Sequence, residues 1–248
     1  MSRLDGHVVV VTGGSRGIGA ATARIFAESG ARVVITHRDS AEAAERVRAS
    51  LAGTGHRVVQ APAADTRAVE AAAHSVNAVE GRLDVLVNNA ATTRVIPHAD
   101  LEALDDELFD RILQTNVRGP FATVRAFRRL LAAGEGGLVV NVSSLAARMA
   151  GGSNVAYCAS KAALDNMTLS LARALAPEIR VLSVAPGLVD TEFTSAWDPE
   201  VKKRYIERTP LGRLPKPEDV ARAVLAAATH LTATTGAVIP VDGGRPLG

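Results

Sequence analysis

Cysteine is nearly absent from this chain: Cys158 is the only one in 248 residues. No intrachain disulfide can form, so the core alone must hold the fold, as expected of a protein in the reducing cytoplasm. Aromatic residues make up only 3%, which leaves alanine, valine and leucine to fill the interior. No stretch approaches the roughly 18 consecutive apolar residues that a membrane span needs. The N-terminal residues lack the basic start and long apolar run of a signal peptide. The reading is a soluble protein with no membrane partner. Histidines are few and dispersed without metal-ligand spacing, so no metal is expected. The net charge is only +2, and the arginines are scattered rather than striped, which excludes a nucleic-acid partner. Lysine is rare too, at four of the 28 basic residues.

Short apolar runs are abundant. Seven of them, at 7–12, 31–36, 56–60, 83–88, 137–143, 179–186 and 237–242, alternate with segments of helical spacing at 17–29, 40–52, 66–80, 107–132, 154–176 and 217–230. Strand–helix alternation predicts an α/β fold with a parallel sheet. The runs are apolar throughout rather than alternating, as strands covered on both faces are. Pro177 closes the helix from 154, and Pro217 sits where a first helical turn tolerates it. With no linker or repeat, residues 1–248 are expected to form a single domain: a Rossmann fold with a seven-stranded parallel sheet and helices on both faces.

The first strand runs into "TGGSRGIG" (12–19) and then a helix. Gly13, Gly17 and Gly19 let the backbone turn sharply and let a pyrophosphate approach free N–H groups at the helix N-terminus. The competing reading is a plain tight turn. The loop lacks the Gly-Lys-Ser/Thr of a nucleotide triphosphatase, so phosphate hydrolysis is not expected.

"YCASK" (157–161) holds one of two tyrosines four residues before one of the rare lysines. On a helix, Tyr157 and Lys161 share a face. A phenol titrates near 10, and a neighbouring ammonium would pull it toward neutrality, where it can transfer protons. Lysine suits this role because its charge is compact and its stem flexible. The alternative is a structural tyrosine over an exposed lysine. Ser153 or Asn154 is the expected cap of this helix.

Together with "NNAA" (88–91), Asn116 in "QTNVRG", "NVSS" (141–144), "PGLVDT" (186–191) and "VDGG" (241–244), these motifs make the chain resemble the short-chain dehydrogenase/reductase family along essentially its whole length. The closest pattern is that of 3-oxoacyl-acyl-carrier-protein reductase-like members. The resemblance implies an NAD(P)(H)-dependent oxidoreductase that interconverts a ketone and a secondary alcohol, with a 3-oxoacyl thioester among the candidate substrates. Tyr157 would be the general acid/base, and Ser144 would hydrogen-bond the substrate oxygen. Lys161 would bind the nicotinamide ribose and lower the tyrosine pKa. Asn116 would hold a water leading to solvent. The cofactor would lie on Gly13, Ser15, Arg16, Gly17, Ile18, Gly19, His37, Arg38, Asp65, Asn89, Ala90, Tyr157, Lys161, Pro186, Gly187, Val189 and Thr191. Substrate contacts would come from Ser144, Asn154, Tyr157, Phe193 and Trp197.

Several residues keep a second reading. Ser143 competes with Ser144 for the serine role, with the spacing to Tyr157 favouring Ser144. Asn116 could instead be a polar residue at a helix kink, satisfied by backbone. Asp65 could be a helix N-cap as well as an adenine contact. Ala91 stands where the family usually has glycine. Cys158 reads most simply as a small buried residue. Segment 188–208 would cover the substrate, and it gathers Phe193, Trp197 and Tyr205; ordinary helix packing is the alternative. His37 and Arg38 end the second strand where NAD-preferring relatives place aspartate. With Arg16 they favour NADP(H), while Asp39 keeps NAD(H) possible. The helices at 107–132 and 154–176 carry small apolar residues on more than one face, which implies a homo-oligomer, and the resemblance implies a homotetramer. A non-catalytic nucleotide-binding regulator is the alternative function, although such a protein is expected to have lost the tyrosine or the lysine.

Overall fold

The computed structural model describes residues 4–191 and 199–247. Strand β1 (Val8–Val11) leads into α1 (Gly17–Glu28), β2 (Arg32–His37) into α2 (Ala41–Ala49), and β3 (Arg57–Gln60) into α3 (Thr66–Glu80). After β4 (Val85–Asn88) come α4 (Asp106–Leu113), a π-helical turn (Gln114–Arg118) and α5 (Gly119–Leu131). Then follow β5 (Gly137–Val142), the short α6 (Ala146–Met149), α7 (Val155–Leu175), β6 (Ile179–Pro186), α8 (Pro199–Glu207), α9 (Pro217–Thr229) and β7 (Val238–Val241). A 3₁₀ turn (Arg245–Leu247) ends the described chain.

Every strand pairing is parallel, in the order β3-β2-β1-β4-β5-β6-β7. The apolar runs explain this architecture. Side chains alternate across a strand, so Val9 and Val11 enter one core with Phe26, Ile35 and Val140. Val8 and Val10 enter the opposite core with Leu86, Phe127 and Val181. Phe26 and Phe127 are fully buried, one on each side of the sheet. Truncating either to alanine removes a packed ring and costs about 3–5 kcal/mol. Successive strands run outward from β1 to β3, and the chain then returns to place β4 on the other side of β1. The loops leaving β1 and β4 therefore diverge, and a crevice opens at the carboxyl ends of the strands.

The continuous helix expected over 107–132 is interrupted. Residues 114–118 form a π turn that separates α4 from α5. The cause is local: Pro120 sits in the first turn of α5, and proline cannot donate the i→i−4 bond of a continuous helix. Gly119 adds a spatial reason, because a Cβ there would lie 2.7 Å from the Ala63 carbonyl oxygen. The helices α6 and α8 were not anticipated from the periodicity.

Candidate active site

The carboxyl end of β5 and the start of α7 meet in the crevice. Asn154 caps α7: its Oδ1 accepts the Tyr157 amide at 2.7 Å, and its Nδ2 donates to the Arg94 carbonyl at 2.7 Å and to Thr93 Oγ1 at 3.2 Å. Tyr157 is thereby fixed in the first turn of the helix. Ser144 stands close enough to the phenol to draw its pKa down by hydrogen bonding, while the hydroxyl of Ser143 donates to the Lys161 carbonyl at 3.4 Å. Both serines line the cavity, but the Ser143 hydroxyl is spent on that carbonyl.

Lys161 is 3% exposed, and its Nζ donates to the Val142 carbonyl at 2.8 Å. It lies 5.7 Å from the Tyr157 ring centroid. Burial pushes its pKa down from 10.5 to about 8, opposed by the Asp165 carboxylate one turn on. The expectation that this ammonium draws the phenol downward is corrected here. Burial pushes the Tyr157 pKa up, the Ser144 hydrogen bond opposes that, and the Cys158 thiol adds to the rise. Part of the ring faces the crevice, so burial here means enclosure by the crevice walls. Cys158 itself is buried, as expected.

Asn116 occupies the π turn and is 1% exposed. Its Oδ1 accepts the Thr92 amide at 2.8 Å, and its Nδ2 donates to the Thr92 carbonyl at 3.0 Å and to Ser160 Oγ at 3.1 Å. The kink reading anticipated from sequence therefore describes its contacts. Asp65 caps α3 through one oxygen, which accepts the Arg67 and Ala68 amides at 3.0 and 3.1 Å.

The glycine loop is braced from β4. Asn89 Nδ2 donates to the carbonyls of Thr12 and Gly13 at 2.9 and 3.0 Å, and the amides of Asn89 and Ala90 donate to Thr12 Oγ1. Gly13 and Gly17 have φ of +64° and +52°, which side chains disfavour. A Cβ on Gly19 would lie 2.4 Å from the Gly13 oxygen. At the end of β2, His37 Nδ1 and Thr36 Oγ1 are buried and have no hydrogen-bond partner among the described residues. Arg16 and Arg38 are exposed, and Arg38 Nε donates to Asp39 Oδ2.

A cavity of about 640 Å³ lies over these groups. Its walls include Ile18, Asn89, Ala91, Ser144, Tyr157, Lys161, Pro186, Gly187, Val189 and Thr191. Asn116, Asn154, Asp65, His37 and Arg38 do not line it. Nor do Gly13, Ser15, Arg16, Gly17, Gly19 and Ala90. Asn154 was expected to touch substrate, but its amide is spent on the cap and on the loop after β4. Phe193 and Trp197 lie outside the described residues.

Comparison with known proteins decides the family. Residues 13–245 match the family described as Enoyl-(Acyl carrier protein) reductase. The cis-4-hydroxycyclohexanecarboxylate dehydrogenase of Sinomonas cyclohexanicum is 40% identical, over 96% of each chain. The 3-oxoacyl-[acyl-carrier-protein] reductase of Aquifex aeolicus is 35% identical, over 98% of each. A short chain dehydrogenase from Burkholderia cenocepacia, solved with NADP, superimposes with a TM-score of 0.89 at 36% identity, covering 98% of this chain and 99% of that one. The chain is a short-chain dehydrogenase/reductase.

This dehydrogenase/reductase is therefore an oxidoreductase of a family that works with NAD(P). Its own residues fit such a nucleotide: side chains are excluded where the glycine loop folds back on itself at Gly19, and buried polar atoms stand unpaired at the end of β2. No helix among the described residues is long and apolar enough to cross a membrane, and they hold no metal-ligand cluster. Sequence reasoning missed several cavity walls of the enzyme, among them Met149 and Arg245. Met149 carries no motif, whereas Leu188 falls within "PGLVDT" and the expected cover segment 188–208. Arg245 directly follows "VDGG" but offered no periodic signal.

Proposed function

We propose that the protein reduces a ketone to a secondary alcohol, and runs the reverse reaction, with Tyr157 as general acid/base. The observation that carries this is the convergence of Tyr157, Ser144 and Lys161 on one cavity, with the tyrosine held by the Asn154 cap. When bound, the nicotinamide supplies or accepts the hydride. Tyr157 protonates the substrate oxygen through its hydroxyl. Ser144, close to that hydroxyl, also holds the substrate oxygen and stabilises its developing charge. Lys161 supplies an adjacent positive charge and would bind the nicotinamide ribose. Asn116 positions the Ser160–Lys161 turn through its Ser160 bond. Its Oδ1 accepts one bond and keeps a lone pair for a water toward Lys161.

The glycine loop with Ser15 and Ile18, the segment Asn89–Ala90, and Pro186, Gly187, Val189 and Thr191 would hold the nucleotide. Asp65 has one carboxylate oxygen not engaged in its cap and would meet the adenine. NADP(H) is the preferred form in this reading, held by His37, Arg38 and Arg16; NAD(H) is the second choice. Segment 188–208 would act as a substrate lid. Lys202 pairs with Asp190 at 2.7 Å and ties α8 to the loop after β6, and Tyr205 lines the cavity. A homotetramer is part of this reading, supported by exposed apolar side chains on α5 and α7, where Phe121 and Leu169 are 44% and 52% exposed. The single cysteine fits a cytoplasmic location.

The test is NADPH oxidation, followed by absorbance, over a panel of ketones and 3-oxoacyl thioesters. Turnover that falls by about 100-fold or more in Tyr157→Phe supports the reading. Tight nucleotide binding with no turnover of any substrate would favour the regulator alternative.

A further inference from the structure

Arg245 stands in the wall of the same cavity as Tyr157. It reaches that wall through two glycines, Gly243 and Gly244, at φ of +67° and +82°. These glycines let the C-terminal turn press against the segment after α8. A Cβ on Gly243 would lie 2.6 Å from Thr209 Cγ2, and one on Gly244 would lie 3.3 Å from Pro210. The guanidinium stacks over the Tyr205 ring at 5.2 Å and donates one bond, to the Arg208 carbonyl at 3.0 Å. Stacking plus a single carbonyl bond orients the fork and, among the described residues, leaves most of its five donors unspent. Among the described residues Arg245 has no ion pair, although it is only partly exposed. Asp242, the carboxylate in the same wall, accepts the Gly244 amide at 2.8 Å instead. Apolar side chains in the same cavity wall include Leu145, Met149 and Leu188.

We infer that Arg245 is a specificity residue that binds the anionic end of the substrate, so that the preferred substrate is a keto acid or hydroxy acid with an apolar body. This rests on the oxidoreductase reading and adds the substrate class. An oriented guanidinium without a carboxylate partner among the described residues, on a residue lining the cavity that holds the reacting tyrosine, matches a substrate carboxylate through paired, charge-assisted hydrogen bonds. The apolar walls take the carbon skeleton, and the ketone lies toward Tyr157 and Ser144.

The experiment compares keto acids with their methyl esters, at increasing spacing between ketone and carboxyl, in the wild type, Arg245→Met and Arg245→Lys. The ester keeps the ketone and the skeleton and deletes the charge. At one or more spacings the wild type should favour the acid by about tenfold or more in kcat/KM. Arg245→Met should lose that preference, with ester turnover within about twofold of the wild type, and Arg245→Lys should fall between. Equal or better use of the ester at every spacing overturns the inference and leaves the oxidoreductase reading intact. An equal loss on acid and ester in Arg245→Met overturns it too, because that marks a structural role. Calorimetric titration with cyclohexanecarboxylate gives a readout independent of turnover. Binding to the wild type that disappears in Arg245→Met supports the inference even if no ketone in the panel is reduced. No binding to the wild type counts against it.

Discussion

The Lys161 ammonium is bonded to the Val142 carbonyl at 2.8 Å, so α7 and the end of β5 are joined by a buried charge directly beneath the tyrosine. That charge is costly to bury, which is why its pKa falls to about 8.

The first prediction is a pH slope. Between about 8 and 10.5 the unfolded chain holds a proton that the folded chain has lost, so this group makes stability rise with pH across that window. Cys158 and Tyr157, whose pKa values are raised, act in the opposite sense at the alkaline end. Comparison with Lys161→Met separates the contributions. From pH 8 to pH 10, urea unfolding should show the wild type gaining on the variant by up to about 1.4 kcal/mol per pH unit. Parallel pH profiles would sink the assignment of the shift to burial.

A second prediction concerns the cap. Asn154→Ala deletes the acceptor of the Tyr157 amide and the donor to the Arg94 carbonyl. Stability should fall by about 2 kcal/mol, and kcat should fall more than the nucleotide KM changes. Asn154→Asp keeps the acceptor and should recover part of both. If both variants lose stability equally while kcat stays at the wild-type value, the cap does not position the tyrosine.

Gly19 and Gly81 make a contrasting pair. A Cβ at Gly19 collides with the Gly13 oxygen and, at 2.6 Å, with Asn89 Nδ2. Gly19→Ala should cost about 2 kcal/mol and weaken NADPH binding by about tenfold or more. Gly81 ends α3 at φ +66°, and a Cβ there would meet nothing within 4 Å. Gly81→Ala should cost about 1 kcal/mol and leave NADPH affinity unchanged. Fluorescence titration and thermal melts on the two variants decide it; equal affinities would show that the Gly19 loop does not hold the nucleotide.

The fourth prediction tests cofactor choice at the end of β2. Arg38 is tied to Asp39 and both are exposed, so the carboxylate competes with any phosphate for the guanidinium. Arg38→Leu should lower kcat/KM for NADPH roughly tenfold and hardly touch NADH. Asp39→Ala, which frees Arg38, should move the ratio the other way. A wild type that prefers NADH would show that the end of β2 does not select the phosphorylated form.

The strands and the glycine loop were legible because their causes are local. A run such as Val8–Val11 is apolar at every position only if both faces are covered, and it is buried throughout. The neighbourhood of Tyr157 and Lys161 followed from helical spacing alone. Their electrostatics did not, because spacing says nothing about how deeply the lysine is buried or that Val142 takes its proton donor. The π turn was legible only as the kink reading of Asn116; the contact of Gly119 with Ala63 depends on the return of the chain from β3.

By itself the sequence determined the order of the seven strands and the longer helices between them, the loop that must stay free of side chains, and the helix face shared by tyrosine and lysine, since each depends on residues within a few positions of one another. Tertiary structure decided the rest. The Ser143 hydroxyl is spent on the Lys161 carbonyl, and Ser144 acts on the phenol, because of how β5 meets α7. Asn116 is held by Thr92 and Ser160, 24 and 44 residues away. Arg245 enters the cavity because its turn docks on a segment 37 residues earlier. No local periodicity encodes such contacts; they form only when packing of the two cores brings distant segments to the same ends of the strands.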